Sequence, residues 1–420
     1  MDEVMAAWAE WLKPSAGLPT VQWSILLALA AAAGHLLQRY TGLPKVVGYS
    51  LVGTVAGLAG FSGAVWPLQG VALFLLELGV AAVLFESGGR IALRWFRHNP
   101  MVLLQSVLES LLTAVAVYYV LRWLEVRATV AEAVALIAMA ASPAVLSRVV
   151  MDTRAAGPVT ERAMALSTLS TFYALTLVAA RAGVMHRPDH DDLSATLYPV
   201  FVVLGVSFVV GAALALVMRL ALRVMSPTSE NTSMLLLALI AASTALAAHF
   251  GGSAPLAALL GGLMLKQLHP RPWAWPRQLG TAASLLTMLM FVLVSVVAAK
   301  ADWNPAVAGL VAALVVARAL AKIVGIELAH WSSGINWRQA FWTGCAMSPM
   351  SSIALLLVAQ FVNSSLTLGP RIASIALPAI LLMEILGAII ATFAIYEAGE
   401  SIRPWQPRGT PVPQPGEARG

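Results

Sequence analysis

Five ionisable residues lie deep inside long apolar runs: Glu77, Glu109, Arg318, Lys322 and Glu384. A charge at membrane depth is expensive, so such residues pair with one another, face a polar cavity, or carry ions and protons. Arg318 and Lys322 are four apart and share one helix face, where they repel unless an acid from another run meets them. Spacing does not decide which acid that is, although Glu109 and Glu384 sit most centrally in their runs. A transport role requires one of these groups to exchange a proton near neutral pH, which burial can bring about. The competing reading is a fixed ion pair between helices. Glu86, Glu132 and Glu327 lie nearer run ends, where a long side chain reaches the interface. His35, on an alanine-rich face, has no partner to hand a proton to and reads as structural.

A second pattern lies in the interruptions. The stretch 138–177, AMAASPAVLSRVVMDTRAAGPVTERAMALSTLSTFYAL, contains Ser142-Pro143 inside one apolar run and Ser170-Thr171-Phe172 in the middle of the next. CAMSPMS repeats the break at Ser348-Pro349. Proline removes a backbone donor and clashes with the preceding turn, so it opens a helix and leaves polar groups to be satisfied. Within a bilayer such a break is tolerated only in contact with protein or a polar cavity. Alone, each could be a simple kink; as a matched pair they point to the midplane site of a secondary transporter.

The elements that position these residues follow from composition. Of 420 residues, 59% are hydrophobic and 11% charged, with mean hydropathy +0.81. Soluble domains carry about 25% charged residues, so this is an integral membrane protein. Runs long enough for a bilayer core of about 30 Å fall at 21–38, 44–63, 70–93, 101–121, 129–151, 160–183, 195–222, 231–249, 254–268, 278–299, 304–329, 337–361 and 370–396. Thirteen spans place the termini on opposite sides. With the N-terminus outside, 17 of the 26 basic residues fall on inside segments, 7 fall outside, and Arg318 and Lys322 lie within the eleventh span. Basic loops face the cytoplasm, so N-out, C-in is expected, in the cell (inner) membrane. The outer loop HRPDHDD (186–192) agrees. The breaks lie in the fifth and twelfth spans, seven apart, so equivalent spans run in opposite directions, as in an inverted repeat.

The net charge of +6 and pI near 9.7 come from scattered basic residues, not a patch, so orientation explains them better than nucleic acid does. The single cysteine, Cys345, excludes an internal disulfide. No Walker loop, metal cluster or nucleophile constellation is present, so ATP-driven pumping, a bound metal or cofactor, and enzyme chemistry have no support. Residues 1–20, with Trp8 and Trp11, read as an extracytoplasmic interfacial segment, 21–400 as the transmembrane domain, and 401–420 as a disordered cytoplasmic tail. GYSLVGTVAGLAG (48–60) and GGSAPLAALLGGLML (251–265) are spaced for close helix packing, the first also at a possible dimer interface.

LPKVVGYSLVGTVAGL (43–58), LLELGVAAVLFESGGRIAL (75–93), ASPAVLSRVVMDTRAAGPVTERAMALSTL (141–169), GGSAPLAALLGGLML (251–265) and RALAKIVGIELAHWSSGINWRQAFWTGCAMSPMSSIALLLV (318–358) resemble, in that order, the monovalent cation:proton antiporter superfamily, sodium/proton exchanger branch. The resemblance implies an all-α fold with a dimerisation domain and a core domain in which two discontinuous helices, the fifth and twelfth spans, cross at the midplane. It also implies elevator-like alternating access, usually as a homodimer, and places Lys322 at the family's core lysine.

Two departures stand out. Where that family commonly carries an aspartate pair, or Asn-Asp or Gln-Asp, this chain has Ser170-Thr171-Phe172; where it carries an Arg-Gly-Glu-like run, the twelfth span has Met350-Ser351-Ser352. A hydroxyl can coordinate Na+ but neither exchanges a proton near neutral pH nor offsets a cation's charge. The expectation is therefore a Na+ or K+:proton antiporter with a relocated proton site. Lys322, Arg318 and an acid from Glu77, Glu109 and Glu384 couple the charge; Ser142, Pro143, Ser170, Thr171, Ser348 and Pro349 form the ion path. The alternatives are transport of an anionic or organic solute on the same fold, or a non-transporting sensor or assembly scaffold.

Overall fold

The computed structural model describes residues 18–61, 63–91, 93–186, 193–226, 229–268, 277–331 and 333–401, and every regular element among them is helical. The interfacial segment with Trp8 and Trp11, most of the 186–192 loop and the tail beyond Ser401 lie outside the described residues. The helices are α1 (Leu18–Thr41), α2 (Lys45–Leu58), α3 (Gly70–Arg90), α4 (Leu93–His98), α5 (Pro100–Trp123), α6 (Ala128–Met139), α7 (Pro143–Thr153) and α8 (Pro158–His186). They continue as α9 (Leu193–Val224), α10 (Glu230–His249), α11 (Ala254–Leu268), α12 (Arg277–Ala299), α13 (Pro305–Leu328), α14 (Trp337–Ala346), α15 (Ser352–Ser364) and α16 (Gly369–Glu397). Nine described stretches are long and apolar enough to cross a membrane, and four shorter apolar helices accompany them. Each of the thirteen apolar runs becomes one helix, except the two carrying Ser-Pro, which each become two: α6 with α7, and α14 with α15.

Local chemistry fixes the ends. Pro100, Pro143, Pro158 and Pro305 open α5, α7, α8 and α13, where the missing N–H costs nothing. Asn304 accepts from Val307 N at 2.8 Å, and Asn336 and Gln339 form a reciprocal capping box at the start of α14. Arg154, at φ 50°, ends α7 in the left-handed conformation.

The helices sort into two groups. In one, α1 packs on α2, α2 on α12, and α3 on α11 and α12. In the other, α5 packs on α13 and α6, while α8 touches both halves of each broken helix. The final helix, α16, lies against α13, α14 and α15 in its own group and against α2 and α12 in the first. Large exposed apolar side chains, among them Leu29, Val55, Phe201, Val209 and Leu320, give the bundle a lipid-compatible surface.

Candidate functional site

The two breaks meet. Helices α6 and α14 stop at Met139 and Ala346, α7 and α15 start at Pro143 and Ser352, and the segments between cross closely enough for Ser142 N–H to donate to Pro349 O at 3.0 Å. Two helix C-termini therefore point their carbonyls at one place, a concentration of partial negative charge.

Arg318 answers it. Fully buried on α13, its Nε donates to Ala138 O (2.9 Å), its Nη1 to Ser348 O (2.5 Å), and its Nη2 to Ala140 O (2.9 Å) and Pro349 O (3.3 Å). One planar guanidinium thus spans both breaks, a task that fits its fixed fork of donors. Of the two basic residues that share this face, Arg318 takes carbonyls and leaves the expected acid to the other.

The acid meets Lys322. One turn further along α13, its ammonium forms a buried ion pair with Glu109 of α5 and also donates to Met139 O at 3.1 Å. Both partners are fully buried. Ser110 donates to the second Glu109 oxygen at 2.9 Å. The close approach rests on Gly325: a Cβ there would stand 2.5 Å from Glu109 Cα.

The polar midspan of α8 closes the first break. Thr171 Oγ1 donates to Ala141 O (3.0 Å) and Ser167 O (2.8 Å), and Ser170 Oγ receives Ala141 N–H at 3.4 Å. Ser142 Oγ caps α7 by accepting from Val145 N at 3.3 Å. Carbonyls 138 to 141 are therefore taken in turn by Arg318, Lys322, Arg318 and Thr171.

Glu384, on α16, is fully buried but stands apart from this cluster; its Oε1 accepts from Ser50 Oγ of α2 at 2.8 Å. Glu77 is half-buried and makes no hydrogen bond or ion pair with the described residues. Glu132 pairs with Arg181 at 2.8 Å, and Glu86 with Arg90 at 2.5 Å, near helix ends. No group of three or more His, Cys, Asp or Glu able to hold a metal occurs among the described residues.

Cavities open at the end bearing Arg90 and Arg148, and two of them bear on the core. One, of about 460 Å³, runs past Arg90, Glu161 and Met164 to Thr168, one helix turn short of Thr171. The other, of about 250 Å³, lies between α3, α7, α10 and α12 and is lined by Glu86, Ser147, Arg148, Ser284 and Thr287.

Two contributors escaped the sequence reading. Arg162 is buried and donates to Gln105 Oε1 and Ser333 O, both at 2.6 Å, tying α8 to α5 and to the loop after α13. Glu400 accepts from Val159 N, Thr160 N and Thr160 Oγ1, each at 2.7 Å, capping α8 from the far end of the chain. Both resemble ordinary loop charges, and only their distant partners distinguish them.

The architecture is similar to solved structures of the sodium proton antiporter MjNhaP1 from Methanocaldococcus jannaschii. One, at pH 8, gives a TM-score of 0.67 at 14% identity, covering 90% of this chain and 98% of that one. The other, from an electron-microscopy map, gives 0.72 at 15% identity, covering 93% and 100%. Among curated proteins none matches the chain. The family model described as sodium/hydrogen exchanger, transmembrane, matches residues 25–396. With that match over nearly the whole helical domain, the chain belongs to the sodium/hydrogen exchanger family.

Proposed function

We propose that the chain is a proton-coupled secondary antiporter that exchanges a monovalent cation, Na+ or K+, for H+ by alternating access, as a homodimer in the cell (inner) membrane. The observation that carries this reading is the position of Lys322, whose ammonium is shared between the Glu109 carboxylate and the Met139 carbonyl of the first break. When both are ionised the pair is neutral. Loss of one proton leaves a single negative charge in a medium that tolerates it poorly, and an arriving cation can compensate that charge. The same proton movement alters what Lys322 offers to the broken helix, which ties protonation to the geometry of the crossing. Ser142, Ser170 and Thr171 line the path at the break, with Pro143, Ser348 and Pro349 holding it open. Orientation with the N-terminus outside and the C-terminus cytoplasmic follows from the bias of basic residues. The relative MjNhaP1, described as a sodium proton antiporter, favours the same class of exchange.

The test is reconstitution in proteoliposomes with internal pH recorded as Na+, K+ or Li+ is added. Cation-evoked proton movement is expected in the native protein and absent in Glu109→Gln. No proton movement with any of these cations between pH 6 and 9 would sink the reading.

A further inference from the structure

No basic side chain among the described residues pairs with Glu384. Among the described residues, four buried side-chain oxygens lack a hydrogen-bond partner: Glu384 Oε2, Ser295 Oγ, Ser351 Oγ and Ser352 Oγ. They are not scattered. Ser295 of α12 and Ser351 at the start of α15 both lie within hydrogen-bonding reach of the Glu384 carboxyl, short of full bond geometry, and Ser352 follows Ser351 in the chain. Ser50 completes the set from α2.

Close backbone packing builds this arrangement. A Cβ at Gly53 would meet Val292 O at 2.7 Å and Ser295 Cβ at 2.9 Å, so α2 and α12 approach closely and carry Ser50 and Ser295 to the same place. A Cβ at Gly387 would meet Pro349 Cα at 2.6 Å, which sets α16 against the second break.

Charge narrows the ligand. Of the charged groups on helices packed against α16, Arg318 is engaged with carbonyls, Lys322 with Glu109, Arg148 with Asp152, and Glu132 with Arg181. Tyr49, next to Ser50, lies by Arg148 and Asp152. A lone carboxylate at this depth is neutralised by one positive charge, so a monovalent ion balances the site and a divalent one leaves an excess.

We propose that Glu384, with the hydroxyls of Ser50, Ser295 and Ser351, is the binding site of the exchanged monovalent cation. This rests on the exchange reading above and deepens it by naming the cation's ligands. It also relocates the acid absent from the middle of α8: α8 and α16 are the sixth and thirteenth spans, seven apart, and so are equivalent helices of the inverted repeat. Ser50 and Ser295 come from one helix group, Ser351 and Glu384 from the other. Any sliding of one group past the other takes the ligand set apart, so occupancy and movement are coupled. Entry from the smaller cavity follows α12, where Ser284 at the cavity wall and Ser295 share a face about 16 Å apart.

The test is thermal unfolding of the purified full chain in detergent at pH 8, in NaCl, KCl or LiCl against choline chloride at equal ionic strength. A ligand that binds only the folded state raises the midpoint. At least one alkali cation should raise that of the native protein by several degrees, the rise should vanish in Glu384→Gln, and Ser50→Ala and Ser351→Ala should shift the half-saturating concentration upward about tenfold or more. No rise with any alkali cation, an undiminished rise in Glu384→Gln, or unchanged half-saturation in both serine variants would each overturn the site. Because the readout is binding, a Glu384-dependent rise without proton movement in vesicles would refute the exchange and leave the site standing. Proton exchange retained in Glu384→Gln would do the reverse.

Discussion

Ser142 and Pro349, 207 positions apart in the chain, are joined by a single backbone hydrogen bond of 3.0 Å where the two broken helices cross. A donor left free by one interruption meets an acceptor left free by the other, so each break supplies part of the other's missing partner. Of the remaining partners, only Arg318 serves carbonyls on both sides; Lys322 and Thr171 each take one carbonyl of the first break.

Removing that side chain is expected to loosen both breaks at once. Arg318→Gln should destabilise the fold by on the order of 3 kcal/mol or more, because several buried carbonyls lose a charged donor together. Arg318→Lys should rescue little of this, since an ammonium cannot span two breaks as a planar fork does. Melting in detergent, compared across the three forms, measures it.

The Glu109–Lys322 pair predicts a non-additive outcome. Glu109→Gln leaves a buried ammonium without its counter-charge and should cost roughly 3–5 kcal/mol, whereas Glu109→Gln combined with Lys322→Met removes both charges and should recover most of that loss. Equal destabilisation in the single and double variants would contradict the pairing. The recovered double variant should still lack proton movement in vesicles.

Gly325 is a packing requirement of the same pair. Gly325→Ala places a methyl group against the Glu109 backbone and should cost ~1–3 kcal/mol through separation of α5 from α13. Its effect should shrink in the Glu109→Gln background, because the two changes disturb one contact.

At the other end of the molecule, Glu400→Ala frees two backbone donors and one hydroxyl at the start of α8. A loss of ~1–2 kcal/mol is expected, the size of a lost helix cap, with Glu400→Gln milder. Limited proteolysis near the C-terminus should accelerate in the alanine variant.

Several features were legible in the sequence because they depend on local chemistry. Long apolar runs must be helices in a bilayer, and proline must interrupt them, so the spans and the paired breaks at Ser142-Pro143 and Ser348-Pro349 could be placed before any contact was known. The four-residue spacing of Arg318 and Lys322 correctly placed both on one buried face. It could not say that Arg318 takes carbonyls while Lys322 takes Glu109, since that choice depends on how α13 lies against the first break and against α5. Arg162 and Glu400 escaped for the same reason: their partners lie 57 and 240 or more positions away.

What the sequence determined by itself is the inventory: where the apolar runs lie, where they break, which charges fall within them, and that the middle of the sixth holds hydroxyls in place of an acid. Tertiary structure alone decided the pairing of that inventory. Glu109 and Glu384 are equally central in their spans and indistinguishable by composition, yet close packing at Gly325 gives one an ammonium, while packing at Gly53 and Gly387 surrounds the other with hydroxyls. The physical reason is that charge at membrane depth is governed by its nearest partners, and those are set by how closely helices distant in sequence can approach.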